Sequence, residues 1–518
     1  MGAMCGIVGH IACKASQRSR EVVLGGLARL EYRGYDSAGI ALASPGHLDV
    51  RRALGKLVNL SEELDAQPPV DAFAGIGHTR WATHGRPTVA NAHPHTSPDG
   101  RFALVHNGII ENADVLRAAL VADGETFASE TDTEVVVHLL ARAYDEAEAA
   151  SYTGGVAGLT GADEEVARRL VVAMRAVTAQ LHGTFTLLVV STQSPNVIVA
   201  ARRSSPLVIG LGEGENFLGS DVLAFVEHTN RALEVGQDEV VVVSATGVTV
   251  IDPSGNPVER EAYEVDFSSD RATKNGWPTF MEKEIHEQPK AIADTFRAYL
   301  CGETEGEKLD YHVDLAKLGL SDELIRGFNG ITIIGCGSAY HVGVTAQYVI
   351  EDLARLPVRV EFASEYRYRH PVIDPNNLVV VISQSGETAD TLAAMREAKA
   401  HGLKTLAIVN VIGSLIAREA DFVLYTYAGP EISVATTKAY STQLIGTYML
   451  AICLGKARGL IDEREEQRLL AEIAALPEKV QRIIDDKERL QWFAAKFSNA
   501  KDVFFIGRGI DYAICMEG

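Results

Sequence analysis

The sequence Met4-Cys5-Gly6-Ile7-Val8-Gly9-His10 decides how the first half of this chain is interpreted. It places a cysteine directly after a methionine, at the start of a β-branched run that is typical of a strand. If the residues before Cys5 are removed, that cysteine carries both a thiol and a free α-amine. The two groups together make a nucleophile with its own base. A buried structural cysteine is the alternative interpretation, because cysteine is common in protein cores.

Length and composition restrict the class of protein. The chain has 518 residues, 47% hydrophobic and 23% charged, which is ordinary for a globular protein with several cores. The formal net charge of -21 argues against general affinity for nucleic acid, whose phosphates require a basic surface. The six cysteines include no CxxC pair, so neither a zinc site nor a disulfide framework is predicted. No signal peptide and no sufficiently long apolar run is visible, which favours a cytoplasmic protein without a membrane segment.

The hydrophobic pattern of the first half predicts an α+β layered domain over residues 5–255. We expect residues 1–4 to be a cloning remnant followed by the initiator Met4. Residues 256–290 contain several prolines and many charges, and they are predicted to form an interdomain linker. The predicted strands are residues 6–11, 39–43, 102–106, 184–190, 197–201 and 239–243, and the predicted helices are residues 22–30 and 130–144.

The second half predicts an α/β domain over residues 291–460, with a parallel sheet and crossover helices. A helical region over residues 437–497 should lead into a second α/β unit, because residues 502–509 repeat the pattern of residues 330–337. We assign residues 461–518 to this connection and to the start of the second unit. We expect that unit to be truncated, since one strand cannot form a sheet by itself. The predicted strands of the first α/β unit are residues 331–334, 358–362, 378–382, 406–409 and 422–425.

Several motifs of the first half place polar residues at strand ends or helix starts. One of them, at residues 129–134, is a helix start with a capping residue and with carboxylates at the positive end of the helix dipole. In combination they resemble class II glutamine amidotransferases, which have the four-layer α+β fold of N-terminal nucleophile hydrolases. The motifs are MCGIVGH (residues 4–10), ARLEYRGYDSAG (28–39), GHTRWATHG (77–85), AHPH (92–95), VHNGIIEN (105–112) and SETDTE (129–134).

The resemblance implies a glutaminase mechanism. The Cys5 thiolate attacks the side-chain amide of glutamine, giving a thioester and ammonia. Its α-amine, with an unperturbed pKa of about 7.7–8.0, takes up the thiol proton and later returns it. The developing oxyanion needs donors fixed before the reaction, and the Asn107 side chain with the Gly108 N–H group are expected to supply them.

The resemblance also assigns the glutamine-binding and coupling residues. Arg80 is expected to bind the α-carboxylate of glutamine as a forked cation, and Asp132 to bind its α-ammonium group. The further contacts to glutamine are expected from Thr83 and His84, and the residues that couple the two active sites are expected to be Trp81, Arg33 and Tyr35.

Histidines in the same motifs suggest a metal as an alternative. His84, His93 and His95 lie close together in the sequence, but no carboxylate–histidine pattern accompanies them. Neither a metal nor a cofactor is therefore predicted.

In the second half, SQSGET (residues 383–388) lies between a predicted strand and a predicted helix. Hydroxyls, backbone N–H groups and the helix dipole meet there, which is what a phosphate requires. A plain tight turn or a dinucleotide site are the alternatives. A complete GxGxxG motif is missing, and three hydroxyl residues within six favour a monophosphate.

The second half resembles sugar isomerase domains through GCGSAYH (335–341), ASEYRYR (363–369), SQSGETADT (383–391) and EISVATTKAYSTQ (431–443). Ala339 stands where many members have a second hydroxyl residue, and the remaining isomerase groups are expected after Gly518. The resemblance implies that the phosphate is bound by Ser383, Gln384, Ser385 and Thr388, that the sugar is lined by Ser338 and Val434, and that Glu517 is the first catalytic carboxylate.

Together the halves are similar to enzymes that convert fructose 6-phosphate and L-glutamine to glucosamine 6-phosphate and L-glutamate, the first step of amino-sugar synthesis. We expect internal transfer of ammonia, with closure of the loops at residues 33–36 and 80–81 over glutamine. The resemblance also implies a homodimer without a cofactor. Two alternatives remain open: another class II amidotransferase, such as the phosphoribosyl enzyme of purine synthesis, and a sugar-phosphate-binding protein with a dormant glutaminase.

Overall fold

The two halves of the chain form separate compact units, Gly2–Ala272 and Thr273–Gly518. In the described part of the chain, no helix is both long and apolar enough to cross a membrane. The computed structural model describes residues 5–31, 34–81, 85–265, 274–301, 304–305, 308–309, 312–313, 318–369 and 371–518.

The first unit is built from two antiparallel sheets and the helices that cover them. Its described strands are β1 (Gly6–Ser16), β2 (Ser37–Ser44), β3 (His47–Leu54), β4 (Ala72–Arg80), β5 (His95–Thr96), β6 (Phe102–Ile110), β7 (Gly183–Ser191), β8 (Ile198–Arg203), β9 (Val208–Leu211), β10 (Glu215–Gly219), β11 (Arg231–Glu234), β12 (Val240–Val243), β13 (Val248–Ile251), β14 (Pro257–Val258) and β15 (Tyr263–Glu264). Its described helices are α1 (Arg18–Leu30), α2 (Leu57–Ala66), α3 (Ala113–Ala122), α4 (Asp132–Glu146) and α5 (Gly161–Thr178), with short 3-10 helices at Ala149–Ser151 and Val222–Ala224.

Among the described strands, the first sheet has the order β15-β11-β9-β10-β1-β4-β2-β3 and the second has the order β14-β13-β12-β8-β7-β6-β5. Side chains alternate between the two faces of a strand, and the two faces of β6 pack against different layers of the unit. Ala103 and Val105 lie in the core between the two sheets, whereas Phe102 and Leu104 pack against α4 and α5. On the first sheet, α1 and α2 cover the outer face. The four-layer α+β fold predicted from the sequence is confirmed.

The second unit is organised around a parallel sheet. Its described strands are β16 (Leu300–Cys301), β17 (Thr304–Glu305), β18 (Lys308–Leu309), β19 (His312–Val313), β20 (Gly330–Gly335), β21 (Val358–Phe362), β22 (Asn377–Ser383), β23 (Lys404–Val409) and β24 (Phe422–Tyr425). Its described helices are α6 (Phe280–Arg297), α7 (Asp322–Gly327), α8 (Ser338–Ala354), α9 (Ala363–Tyr368), α10 (Ala389–Ala400), α11 (Leu415–Glu419), α12 (Lys438–Ala457), α13 (Glu463–Asp485), α14 (Lys487–Phe497) and α15 (Ile510–Cys515).

The parallel sheet has the order β21-β20-β22-β23-β24 within the described residues. Helices cover both of its faces, as crossover connections between parallel strands require. One face packs against α6, α7, α8, α12 and α13, and the other packs against α9, α10 and α11. The predicted α/β domain with a parallel sheet is therefore confirmed.

The predicted linker differs from the structure in its secondary structure. Its first part contributes the short edge strands β14 and β15 to the sheets of the first unit, and its last part lies in helix α6. Thr279 caps this helix by accepting a hydrogen bond from the Glu282 N–H group at 3.1 Å. Pro289 cannot donate to the carbonyl of Ile285, and the Gln288 side chain donates to that carbonyl instead, at 3.2 Å. The domain boundaries themselves stay predictions.

Two further differences concern helices. Helix α5 was not predicted, although its buried positions Leu170, Val171, Met174 and Val177 have helical spacing. The helical region over residues 437–497 is present but consists of three helices, α12, α13 and α14.

The strand predicted within residues 502–509 is absent from the described structure. The segment pairs with no described strand, and Phe504 and Ile506 are 87% and 89% exposed. The physical reason is that an apolar pattern gives strand propensity, but a strand forms only with a neighbour that takes its backbone hydrogen bonds.

Adjacent glycines in α1 give a matched test of how closely this helix packs on the first sheet. A Cβ atom on Gly26 would lie 2.6 Å from the carbonyl oxygen of Ala224 and 2.8 Å from Val8, whereas one on Gly25 would meet nothing nearer than 3.8 Å. We expect Gly26→Ala to lower the free energy of unfolding of this unit by about 1–3 kcal/mol through overpacking. Gly25→Ala should raise it by about 0.5–1 kcal/mol through helix propensity. Hydrogen exchange of β1 and β4 amides in urea measures both; equal effects of the two changes would contradict the packing.

Candidate active site

The first unit contains a small cleft near the ends of β4 and β6 and the start of α4. It brings together residues that are far apart in the sequence. Four of them are predicted glutaminase site residues, and a fifth is the predicted coupling residue Trp81. The cleft is lined by Cys5, Arg80, Trp81, His93, His106, Gly108, Asp132 and Thr133.

Strand alternation explains why these side chains face one another. On β1, Ile7 and Ile11 lie in the core between the sheets, and Cys5 precedes Ile7 by one full period of the strand. On β4, Ala74 and Ile76 lie in the same core, so that His78 and Arg80 at the end of the strand point the same way. The cleft is the continuation of the core beyond the last apolar residues.

Asn107 lies next to the nucleophile but does not line the cleft. Its Nδ2 group donates to the backbone carbonyl of Cys5 at 2.6 Å, and its Oδ1 atom lies 2.9 Å from Nε2 of His78. An amide NH2 group has two hydrogens, so one remains for a second acceptor. The structure thus brings Asn107 and Cys5 together, while its predicted role at an oxyanion stays a prediction.

Gly108 follows on β6 with a backbone conformation that other residues rarely adopt. Its φ is +134°, and a Cβ atom there would lie 2.0 Å from the carbonyl oxygen of Thr184. Glycine is required by both constraints. Gly108 is also exposed and lines the cleft, so its backbone can be reached by a ligand there.

Arg80 and Asp132 supply opposite charges to the cleft. Asp132 is the first residue of α4, where Thr131 caps the helix, and its Oδ2 atom accepts from the Ile110 N–H group at 2.9 Å. The helix start predicted over residues 129–134 is confirmed. Burial lowers the pKa of Arg80, while the nearby Cys5 and Asp132 act in the opposite direction.

The predicted coupling residues Trp81 and Tyr35 are in contact. Their rings meet edge to face with centroids 5.2 Å apart, and the Asp36 N–H group donates to the Arg80 carbonyl at 3.0 Å. The two loops predicted to close over glutamine thus touch each other. Arg33, Thr83 and His84 lie outside the described residues.

The environment of Cys5 disfavours a free thiolate. Burial raises the pKa of its thiol, although the Trp81 N–H group, 3.2 Å from the sulfur, and the Arg80 cation act in the opposite direction. The nucleophile therefore needs a base close by to become reactive at neutral pH.

A cluster of buried imidazole rings lies beside the cleft. The His93 ring centroid is 4.2 Å from that of His78, 5.1 Å from that of His95 and 6.4 Å from that of His106. Burial and the nearby Arg80 charge lower the pKa of His78 to about 3. Burial and the Arg52 charge lower the pKa of His95 to about 3, and burial lowers that of His93 well below its usual value. These three rings are neutral at physiological pH.

The predicted sugar-phosphate residues lie in the second unit, at the carboxyl ends of adjacent strands. Helix α8, which follows β20, and helix α10, which follows β22, cover opposite faces of the sheet. The chain direction of the crossovers therefore reverses between β20 and β22, which pair along their length. Ligands of open α/β sheets bind in the crevice at such a reversal.

The loop over residues 383–388 follows β22 and is held by its own hydroxyls. The Gly386 N–H group donates to Oγ of Ser383 at 3.0 Å, and Ser383 and Thr388 bond each other through their hydroxyls at 3.0 Å. The Ser385 hydroxyl accepts from the Glu387 N–H group at 3.2 Å. Gln384 forms a backbone link to Asn410 at 3.2 Å. The arrangement is a compact polar turn at the start of α10.

Ser338 and Glu517 are brought together on the other side of the crevice. Ser338 Oγ donates to one carboxylate oxygen of Glu517 at 2.5 Å, and His341 Nδ1 lies 2.7 Å from the other. Val434 lies in the segment before α12 and is 64% exposed, so its predicted contact with a sugar stays a prediction.

Sequence reasoning missed residues that the structure places at both sites. His78, His106 and Thr133 surround the cleft of the first unit together with His93, which was considered only for a metal, and His341 joins Glu517 in the second. His78 and His341 lie inside the motifs GHTRWATHG and GCGSAYH, but no individual role was predicted for either residue. The alternation of β4 could have placed His78 on the same face as Arg80.

The neutral histidines predict how stability depends on pH. An unfolded imidazole takes up a proton below about pH 6.5, whereas His78 and His95 remain neutral in the folded protein down to about pH 3. The unfolded state then binds more protons, so the first unit should lose stability as the pH falls from 7 to 5. Each ring should contribute up to about 1.4 kcal/mol per pH unit.

Urea unfolding followed by hydrogen exchange of β4 and β6 amides measures this dependence. The variant His95→Gln, which removes one of the rings, should show a shallower dependence than the parent protein. Equal stability at pH 7 and pH 5 would contradict the burial of neutral rings.

Comparisons with known proteins match both halves of the chain. The family model of a glutamine amidotransferase domain matches residues 65–154, and that of the SIS domain matches residues 324–453. A protein of Leifsonia xyli subsp. xyli named glutamine–fructose-6-phosphate aminotransferase (isomerizing) is 47% identical over 517 residues, 99% of this chain and 79% of that protein. The Streptomyces coelicolor protein of the same name is 46% identical, with the same shares covered.

A solved structure is also similar in part. The C-terminal domain of glucosamine-fructose-6-phosphate aminotransferase from Francisella tularensis is 34% identical, covers 47% of this chain and 67% of that one, and has a TM-score of 0.45. The identity to the two full-length relatives extends over nearly the whole chain. It shows that the chain belongs to the family of glutamine–fructose-6-phosphate aminotransferases (isomerizing).

Proposed function

We propose that this protein converts fructose 6-phosphate and L-glutamine to glucosamine 6-phosphate and L-glutamate. The observation that carries the proposal is the cleft of the first unit, which gathers a cysteine nucleophile, a guanidinium, a carboxylate and an open glycine backbone. Those groups match the parts of a glutamine molecule: the amide carbon, the α-carboxylate, the α-ammonium group and the carbonyl oxygen that becomes an oxyanion.

The glutaminase step uses the residues as follows. The Cys5 α-amine takes up the thiol proton as the sulfur attacks the side-chain amide carbon of glutamine, and the carbonyl oxygen becomes an oxyanion held by the Gly108 N–H group and the remaining Asn107 N–H. Collapse of this intermediate breaks the carbon–nitrogen bond, and the α-ammonium of Cys5 gives that proton to the departing NH2 group, which leaves as ammonia. Water then cleaves the thioester and releases glutamate. Arg80 and Asp132 hold the ends of the glutamine that do not react.

The sugar step belongs to the crevice of the second unit. The polar turn over residues 383–388 suits a phosphate, because its hydroxyls and the N-terminus of α10 offer donors at one point. Glu517, within hydrogen-bond distance of Ser338 and His341, is the carboxylate that we assign to sugar chemistry. On the resemblance alone we also propose internal transfer of ammonia, a homodimer and a cytoplasmic location.

The competing function is a sugar-phosphate-binding protein whose glutaminase is dormant. The Trp81 N–H group donates to the Cys5 sulfur at 3.2 Å, and this favours a working nucleophile, since a cysteine kept only for packing needs no donor at its sulfur.

The decisive measurement is release of glutamate with and without fructose 6-phosphate, using full-length protein with Cys5 as its first residue. We expect the sugar to increase glutamate release, because coupled sites make ammonia only when its acceptor is bound. Cys5→Ala should abolish glutamine turnover while binding of fructose 6-phosphate, measured by calorimetry, is unchanged. No glutamate release with or without the sugar would favour the competing function, and release that the sugar leaves unchanged would contradict coupled sites. Loss of both properties in the variant would contradict two separable sites.

A second prediction concerns the Cys5 nitrogen. While Met4 is attached, this nitrogen is an amide and cannot accept a proton, so the buried thiol lacks its base. We expect protein that retains residues 1–4 to have a glutaminase kcat lower by about 10²-fold or more than protein beginning at Cys5. Intact mass identifies the N-terminus of each sample. Equal kcat values would show that another group is the base.

A further inference from the structure

The contact between His78 and Asn107 crosses the interface of the two sheets of the first unit. His78 ends the inward-facing row of β4, and Asn107 lies near the end of β6 in the other sheet. Both side chains are buried, with 0% and 5% of their surface exposed. Two polar groups in such a place must satisfy each other, because water does not reach them.

The hydrogen-bond partners fix which atom of the Asn107 amide points where. The Cys5 carbonyl 2.6 Å away is only an acceptor, so the NH2 group of Asn107 must face it. The Oδ1 atom then faces His78, and His78 must carry its proton on Nε2 to donate across the 2.9 Å gap. The opposite orientation of the amide would set two carbonyl oxygens against each other.

We propose that His78 is a positioning residue for the glutaminase reaction: its Nε2–H group holds Asn107 so that the amide NH2 group faces Cys5 before glutamine binds. The proposal rests on the proposed function, because it assumes that Asn107 stabilises the oxyanion. A donor that is already oriented lowers the barrier more than one that must turn during the reaction.

The surroundings of His78 suit this task. Its ring packs against that of His93 with centroids 4.2 Å apart and the ring planes tilted by 36°, which restricts rotation of the imidazole. A neutral ring donates one hydrogen bond without adding a second positive charge beside the Arg80 guanidinium. Burial and that guanidinium lower the pKa of His78 to about 3, so the ring stays neutral at any pH used for assay.

The test compares His78→Leu and His78→Gln in the glutaminase reaction of protein that begins at Cys5. Leucine removes the donor, and we expect kcat to fall by about 10- to 100-fold. This loss is smaller than that caused by deleting an oxyanion donor itself, which is typically about 10²–10³-fold. The KM for glutamine should change less than about threefold, since its α-groups bind elsewhere. Glutamine places an NH2 group near the position of Nε2 and should restore kcat to within about fivefold of the parent, on the scale of one hydrogen bond.

His10→Gln is the matched control. His10 is also a buried histidine of the same sheet, but it lies on the helix-covered face, where it bonds Ser19 at 3.0 Å and Glu215 at 2.9 Å. This change should lower the thermal midpoint without lowering kcat. If His78→Leu does not fold, His78→Asn replaces it, because its shorter amide cannot reach Asn107 and should give a lower kcat than His78→Gln.

A double-mutant cycle separates positioning from general damage. In an Asn107→Ala background, His78→Leu should cause no further loss of kcat, because the group it positions is gone. An equal loss in both backgrounds, or no recovery with glutamine at position 78, would overturn the proposal. The parent protein tests the proposed function separately. If fructose 6-phosphate does not stimulate the glutaminase activity of the parent, the proposed function fails. If the parent is active and His78→Leu is fully active as well, only the proposed role of His78 is wrong.

Discussion

The dry interface between the two antiparallel sheets is the constraint on which the glutaminase site depends. A strand sends alternate side chains to each face, so the residues that continue the inward rows of β1, β4 and β6 must meet at one end of this interface. Apolar residues fill the rows up to Ile7, Ile76 and Val105. The next inward positions carry Cys5, His78 and Asn107, which contact one another beside the cleft. One geometric rule thus places these three residues at the end of the core.

The same exclusion of water sets the charges of the site. Burial raises the pKa of the Cys5 thiol and lowers those of His78, His93 and His95, so the groups near the nucleophile are mostly neutral. Arg80 and Asp132 are the charged groups among the residues that line the cleft. In such surroundings the electrostatic interaction energy of a charge that develops on the substrate is large, and a fixed donor stabilises that charge more than water would. This neutrality is a condition for catalysis as well as a consequence of packing.

The sequence pattern predicted those elements whose formation depends mainly on residues close together in the chain. The strand predicted over residues 358–362 has the same bounds as β21, an edge strand in which apolar residues alternate with Arg359 and Glu361. Helix α6 was hidden by Pro289, and its continuity depends on a side-chain bond from Gln288 that no composition shows. Residues 502–509 have the same apolar pattern as β20, yet they form no described strand, since pairing is a property of neighbours. His78 was missed because its partner lies on the other sheet.

The two proposed sites would bind an anion in different ways. At the proposed glutaminase cleft the anion would exist only during the reaction, so its donors would have to be set beforehand, a task that we assign to Asn107 in its contact with Cys5. At the sheet reversal of the second unit the proposed ligand is a phosphate, a permanent charge, and the turn of hydroxyls at the start of α10 offers donors for it. The first site therefore depends on packing across two sheets, where single buried residues matter. The second depends on the course of the backbone, which the motif SQSGET already indicates in the sequence.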